Sequence, residues 1–195
     1  ILFFALNVFS QKQADIWYFG ENAGLDFNSS PPVAITNGKI DTFEGCSSFS
    51  DADGNLLFYS DGITVWDTNH KIMQYTDLSN ADNLKGNPSS TQSGMIIPKP
   101  GSSSIYYLFT VDDGPDYEII ADEWTLVEDG KGLNAYTIDM TLGSGIGQLI
   151  DENSDGVFYE DLSDGKFNNW EEKVAAVKGD KCGTFWVVSV VDNQY

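Results

Sequence analysis

Apolar residues along the chain come in short runs rich in Val, Ile, Tyr, Phe and Trp, set between Gly, Asp, Asn and Pro. Stretches with a helical period are scarce. Short β-branched and aromatic runs bounded by turn formers are the pattern of an all-β chain. Three segments share one design, a strand, a tight polar turn and a second strand whose aromatic pair or triad ends in an acidic residue. They are residues 45–62 (GCSSFSDADGNLLFYSDG), 93–113 (SGMIIPKPGSSSIYYLFTVDD) and 173–193 (KVAAVKGDKCGTFWVVSVVDN).

Their spacing supports a repeat. Leu57 and Tyr107 are 50 residues apart, and Tyr107 and Trp186 are 79 apart. The longer interval holds two acidic stretches, 112–132 and 151–170, which read as loop insertions. Between the hairpins, ITVWD (63–67) with 71–74, and LNAYTIDM (133–140) with 147–150, supply further strands. Four strands in about 40–50 residues is the period of a β-propeller blade of the kelch or WD40 kind. One such sheet cannot cover both its faces, so blades stack around an axis. The expected fold is therefore all-β, a partial propeller over 11–195. It has a lead strand IWYFG and about two and a half blades near 45–92, 93–172 and 173–195.

Several blocks in order also resemble one family. They are IWYFGENAGLDFNSSPPVAI (16–35), DADGNLLFYSDGITVWDTNHKIM (51–73), STQSGMIIPKPGSSSIYYLFTVD (90–112), LNAYTIDMTLGSGIG (133–147) and EKVAAVKGDKCGTFWVV (172–188). The chain is similar to the N-terminal propeller region of large Bacteroidota surface proteins. Those are exported by the type IX secretion system and often end in a gliding-motility-associated C-terminal sorting domain. The resemblance implies a role at the cell surface or in the matrix rather than a known reaction. The two acidic insertions depart from the family pattern.

The ends agree with export. Residues 1–9 (ILFFALNVF) are almost continuously apolar and 10–13 turn polar. A run this short cannot span a bilayer, which takes about 20 residues. It fits the apolar core of a signal peptide, 1–10, cleaved before Gln11, with a buried first strand as the other reading. No Met or basic stretch precedes it, and FWVVSVV is followed at once by the last residues. A piece of a longer exported protein is expected, with sheet faces left uncovered and a tendency to aggregate alone.

Charge narrows the partners. Against 30 Asp and Glu stand 10 Lys and Arg, a net −20. Coulomb repulsion then opposes nucleic acid and anionic membranes. One His and two Cys cannot supply the four N/S ligands of a usual zinc site.

Candidate chemistry is sparse. Asp151, Asn153 and Asp155, followed by Gly156, match the opening of an EF-hand calcium loop, but Leu162 stands where the loop needs a bidentate acid. Asp51 and Asp53 form a second calcium-like string, placed where a hairpin must turn. Both strings also serve as ordinary polar turns, so calcium is the sole cofactor raised. His70 is the one imidazole, in a polar turn between two outer strands, with no G-x-S-x-G nucleophile elbow in the chain. Paired carboxylates are too abundant to single out a glycosidase site. Cys46 is expected buried, and Cys182, in another blade, out of bonding reach of it. Trp17, Trp66 and Trp186 lie in strand patterns and read as packing. Trp124 and Trp170, in the acidic insertions, are the candidates for contact with a glycan or protein partner.

The expected function is a non-catalytic exported propeller module for interaction at the cell surface. The alternatives are a secreted polysaccharide-acting enzyme with carboxylates in the propeller funnel, and a calcium-stabilised spacer.

Overall fold

The computed structural model describes residues 12–165, 170–181 and 183–191. The expected signal-peptide remnant and Cys182 lie outside the described residues. The fold is all-β, built of several small antiparallel sheets, none of them closed. Among the described residues no helix is long and apolar enough to cross a membrane.

A first sheet joins β1 (Ile16–Phe19), β2 (Ala23–Asp26) and β3 (Val33–Ile35). Here the single lead strand expected from IWYFG becomes a three-stranded meander. A second meander joins β4 (Ser47–Ser50), β5 (Leu56–Ser60) and β6 (Val65–Asp67), and a bridge from Trp66 to Ile72 adds a fourth edge. The chain then leaves that sheet. Strand β7 (Gln74–Tyr75) pairs in parallel with the outer strand of the next sheet rather than completing its own.

The third sheet is a four-stranded meander of β8 (Met95–Pro98), β9 (Ile105–Val111), β12 (Leu133–Asp139) and β13 (Gln148–Ile150). Between β9 and β12 stands a separate hairpin, β10 (Asp116–Ile120) and β11 (Glu123–Glu128). Short β14 (Glu160–Asp161) pairs with β12 on the same edge as β13. The last sheet is the pair β15 (Trp170–Lys178) and β16 (Phe185–Val191).

Alternation along the strands explains how these sheets stack. In β5, Phe58 faces one apolar cluster and Tyr59 another; in β6, Val65 and Trp66 divide the same way. In β9, Tyr106 and Leu108 join Phe58, whereas Phe109 and Val111 join Val174 of β15. Successive side chains of a strand point to opposite faces, so an inner sheet apolar on both sides needs a neighbour on each. Three cores therefore separate four sheets. The first strands β1, β4, β8 and β15 lie next to one another in that order. Ser48 Oγ donates to Ile16 O at 2.7 Å, Ser47 Oγ donates to Gly94 O, and Gln92 bridges Lys173 in parallel.

The outer faces of the two terminal sheets have no neighbour among the described residues. On β15 and β16 they present Val177, Trp186, Val188 and Val190; on the first sheet, Trp17 and Phe19. Trp66 is packed, as its strand pattern implies, but Trp17 and Trp186 are 48% and 64% exposed. The packing expected of Trp17 and Trp186 from their strand patterns is corrected accordingly: both rings lie largely in the open.

Candidate interaction surfaces

The stretch 112–130 contains eight Asp and Glu and no Lys or Arg. It was expected as a loop, and the structure corrects this to a β-hairpin. The two residues of its turn, Ala121 and Asp122, have φ of +54° and +65°. Two consecutive positive φ values give a turn whose twist matches that of the strands it joins. Asp is tolerant of that region, and no large side chain has to enter it.

Pairing places Tyr117 opposite Leu126 and Ile119 opposite Trp124. Directly opposed residues share a face, so these four large side chains form one apolar side. Glu118, Ile120, Glu123 and Thr125 lie on the other. Every residue from 116 to 128 is exposed, Trp124 at 72%. The hairpin is an arm standing off the third sheet. Its base is tied down at Asp112, which is buried and accepts the Lys131 backbone N–H at 2.7 Å. Burial pushes that carboxyl up, and Lys131 offsets it only in part. At the other side of the base, Asn87 Nδ2 donates to Asp113 at 2.6 Å. Trp124 thus sits where the sequence pointed.

Trp170 does not. It opens β15, half-buried against the cluster of Leu133 and Val174, and its Nε1 donates to Ser163 O at 3.3 Å. The segment before it was expected to run on as a loop through 170, but pairing begins at Trp170 itself and the ring becomes packing. Trp170 is not a free contact residue.

The calcium-like strings serve the backbone. Asp51 Oδ1 accepts the N–H groups of Asp53 and Asn55, each at 2.9 Å, and Oδ2 accepts Asn55 Nδ2. These bonds lower its pKa against a desolvation that raises it. Asp151 accepts from Gly156 N at 2.7 Å and from Asn153 N at 3.2 Å, and Asp155 accepts from Val157 N. Register explains why this second turn exists. Ile150 pairs with Thr137 and Glu160 with Ala135, so 151–159 stands where one residue opposite Tyr136 would suffice. β13 and β14 are two halves of one outer strand with an acidic excursion between them. Lys99 pins it through Glu152 at 3.0 Å, and Phe158 covers Tyr75. Among the described residues no three His, Cys, Asp or Glu side chains converge as a metal set.

His70 is held in its turn. Its Nδ1 lies 3.0 Å from Tyr59 Oη and its Nε2 2.8 Å from Asn37 Nδ2, and Tyr18 packs against the ring edge. Burial and Lys39 push its pKa down, so the imidazole is neutral at pH 7. Cys46 is half-buried rather than buried, with Sγ 3.4 Å from Tyr18 O. Among the described residues it is a free thiol, and burial pushes its pKa up.

The signal that would have found the arm is the alternation Tyr117, Ile119 against Asp116, Glu118, a two-residue period masked by its acid content. No protein-family model, curated protein or solved structure matches the chain.

Proposed function

We propose that the chain is a non-catalytic module of β-propeller type, exported to the cell surface or beyond, which binds a surface protein or glycan partner through the arm. One observation carries the interaction reading. From Asp116 to Ile119, β10 alternates acidic and apolar residues as a half-buried strand does, yet the apolar side of the arm is exposed throughout. Four large apolar residues on one face of a projecting ribbon are the mark of an interaction site on a soluble scaffold. The propeller reading is supported by the stack of meanders whose first strands adjoin in chain order, and by the uncovered apolar faces of both terminal sheets. A ring of further blades would cover those faces. Export and surface location rest on the apolar leader and on the resemblance to Bacteroidota surface proteins.

Protease shaving of intact cells that carry the protein tests location: release of its peptides supports it, and full protection with recovery from the cytoplasm overturns it. Co-purification from the cell surface of the protein with Ile119→Ser and Trp124→Ser tests the arm. Loss of the partner is expected, and an unchanged partner at unchanged yield rejects the arm as the contact.

A further inference from the structure

At the end of the third sheet opposite the arm, the turns of three hairpins enclose a cleft of about 770 Å³. The arm leaves β9 after Val111, whereas the cleft is built at the β8–β9 turn beyond Ile105. Six residues of strand separate them, roughly 20 Å. Ligand clefts fall in this size range and combine apolar walls with a few placed polar groups.

Its walls are aromatic. Phe49 of β4 meets Tyr106 of β9 edge-on, ring centroids 5.2 Å apart, and Phe58 holds Tyr106 from behind at 5.6 Å. Phe185 of β16, half-buried, forms the facing side. The rim is polar, with Ser102 and Ser103 from one turn, Asp53 from another and Lys178 from β15. Ser50 and Gln13 also line the cleft, and the buried side-chain oxygens of both have no hydrogen-bond partner among the described residues. A buried polar atom left unpaired is costly, so a ligand that brings hydroxyl groups is favoured.

We infer that this cleft binds a neutral oligosaccharide. A pyranose ring presents C–H faces to aromatic walls and hydroxyls at its edge to carboxylate, amide and hydroxyl groups. Each part of the lining meets one of these needs. Charge selects against the other classes. Asp51 and Asp53 in the lining and the net −20 of the chain repel polyanions, acidic sugars included. Lys178 in the same lining offsets one of the two carboxylates, which weakens the pull on an organic cation. Asp51 is already committed to its own turn, which leaves Asp53 as the acceptor for sugar hydroxyls. The inference goes beyond the arm reading and does not depend on it.

Titration calorimetry of the full chain with neutral hexasaccharides of glucose, mannose, xylose and galactose tests it, with hexagalacturonate and spermine as charged controls. At least one neutral hexamer binds, and neither control does. Asp53→Asn, at an exposed position, weakens binding about tenfold or more at unchanged melting temperature. Phe185→Ala, whose ring also packs against the Val174 core, weakens binding as much in a protein that melts lower but remains folded at the assay temperature. Trp124→Ser leaves it unchanged, so failure of the cleft and failure of the arm are told apart. Absence of binding by every neutral hexamer, binding by the charged controls alone, or affinity indifferent to Phe185→Ala overturns the inference.

Discussion

Hairpins β8–β9 and β10–β11 are neighbours in the chain, separated only by residues 112–115. Both alternate, and both carry aromatic and β-branched residues. In β9 the two sides of the alternation are apolar, and each enters a different core: Leu108 one, Val111 the other. In β10 Tyr117 and Ile119 make one side and Asp116, Glu118 and Ile120 the other, and neither is covered. A strand apolar on both faces can live only between two sheets, whereas a strand with an acidic face can stand in water on that side. The difference separates what holds the fold together from what the fold presents. The sharpest way to break it is to remove equal volumes from each. Leu108→Ala, fully buried, should cost about 2–5 kcal/mol in urea unfolding. Ile119→Ala on the arm should stay within about 0.5 kcal/mol. A similar loss at both positions would make the arm part of the core.

The inner sheets also depend on backbones that meet without side chains. Gly62 has φ of +91°, and a Cβ there would fall inside contact distance of Ser93 Oγ and Cβ. The backbone strain alone is worth about 1–3 kcal/mol, and Ser93 is fully buried and cannot give way. Gly62→Ala should therefore destabilise by several times the cost of Gly114→Ala at the root of the arm. Gly114 has φ of +101° but open space around it. Equal losses at the two glycines would mean that crowding near Ser93 contributes nothing beyond strain.

At the junction of the two hairpins, Asp112 offers a test by pH. Its folded pKa is raised, chiefly by burial, so the folded state holds the proton more tightly than the unfolded chain. Stability from this group is then greatest at low pH and falls as pH rises from the ordinary carboxylate range through the folded pKa. Asp112→Asn keeps an acceptor for the Lys131 N–H and removes the charge. Relative to the parent, the variant should gain melting temperature at pH 7 and lose that advantage on acidification. A difference independent of pH would deny that Asp112 is buried in its charged form.

The parts of this molecule legible in its sequence are those where neighbouring residues decide. The turns at Asp51 and Ser102 and the strands β5, β9, β12 and β16 follow from local alternation and turn chemistry. Strands β2 and β3 are too short and too polar to announce themselves, and only pairing with β1 makes them strands. The strand expected at 71–74 is only a bridge at Ile72, and β7 follows at Gln74–Tyr75; its pairing with β13 was not legible, because parallel pairing between distant segments leaves no local trace. The arm was hidden by its charge, which imitates a loop. Trp124 is exposed in either case, because a loop tip and a hairpin tip are open for the same local reason. Trp170 was misplaced because only Val174 and Leu133, folded against it, turn that ring inward. The cleft could not be seen at all, since its walls come from Phe49, Tyr106 and Phe185, brought together only by stacking.

The smallest expected effect is also the one that defines the arm as an appendage. β9 and β12 are adjacent antiparallel strands whose ends meet at Val111 and Leu133. A short turn can join them without the hairpin. Replacing 115–128 by two glycines keeps Asp112, Asn87 with Asp113, residues 129 and 130, and the Lys131 N–H in place. No residue of 116–128 belongs to any of the three cores. Shortening the connection lowers its closure entropy, worth at most about 1 kcal/mol in favour of the folded chain. The shortened protein should therefore melt at the parent temperature or slightly above, and lose partner binding while keeping the cleft intact. A lower melting temperature by more than a few degrees would show that the acidic hairpin braces the third sheet, and the contrast between the two hairpins would no longer hold.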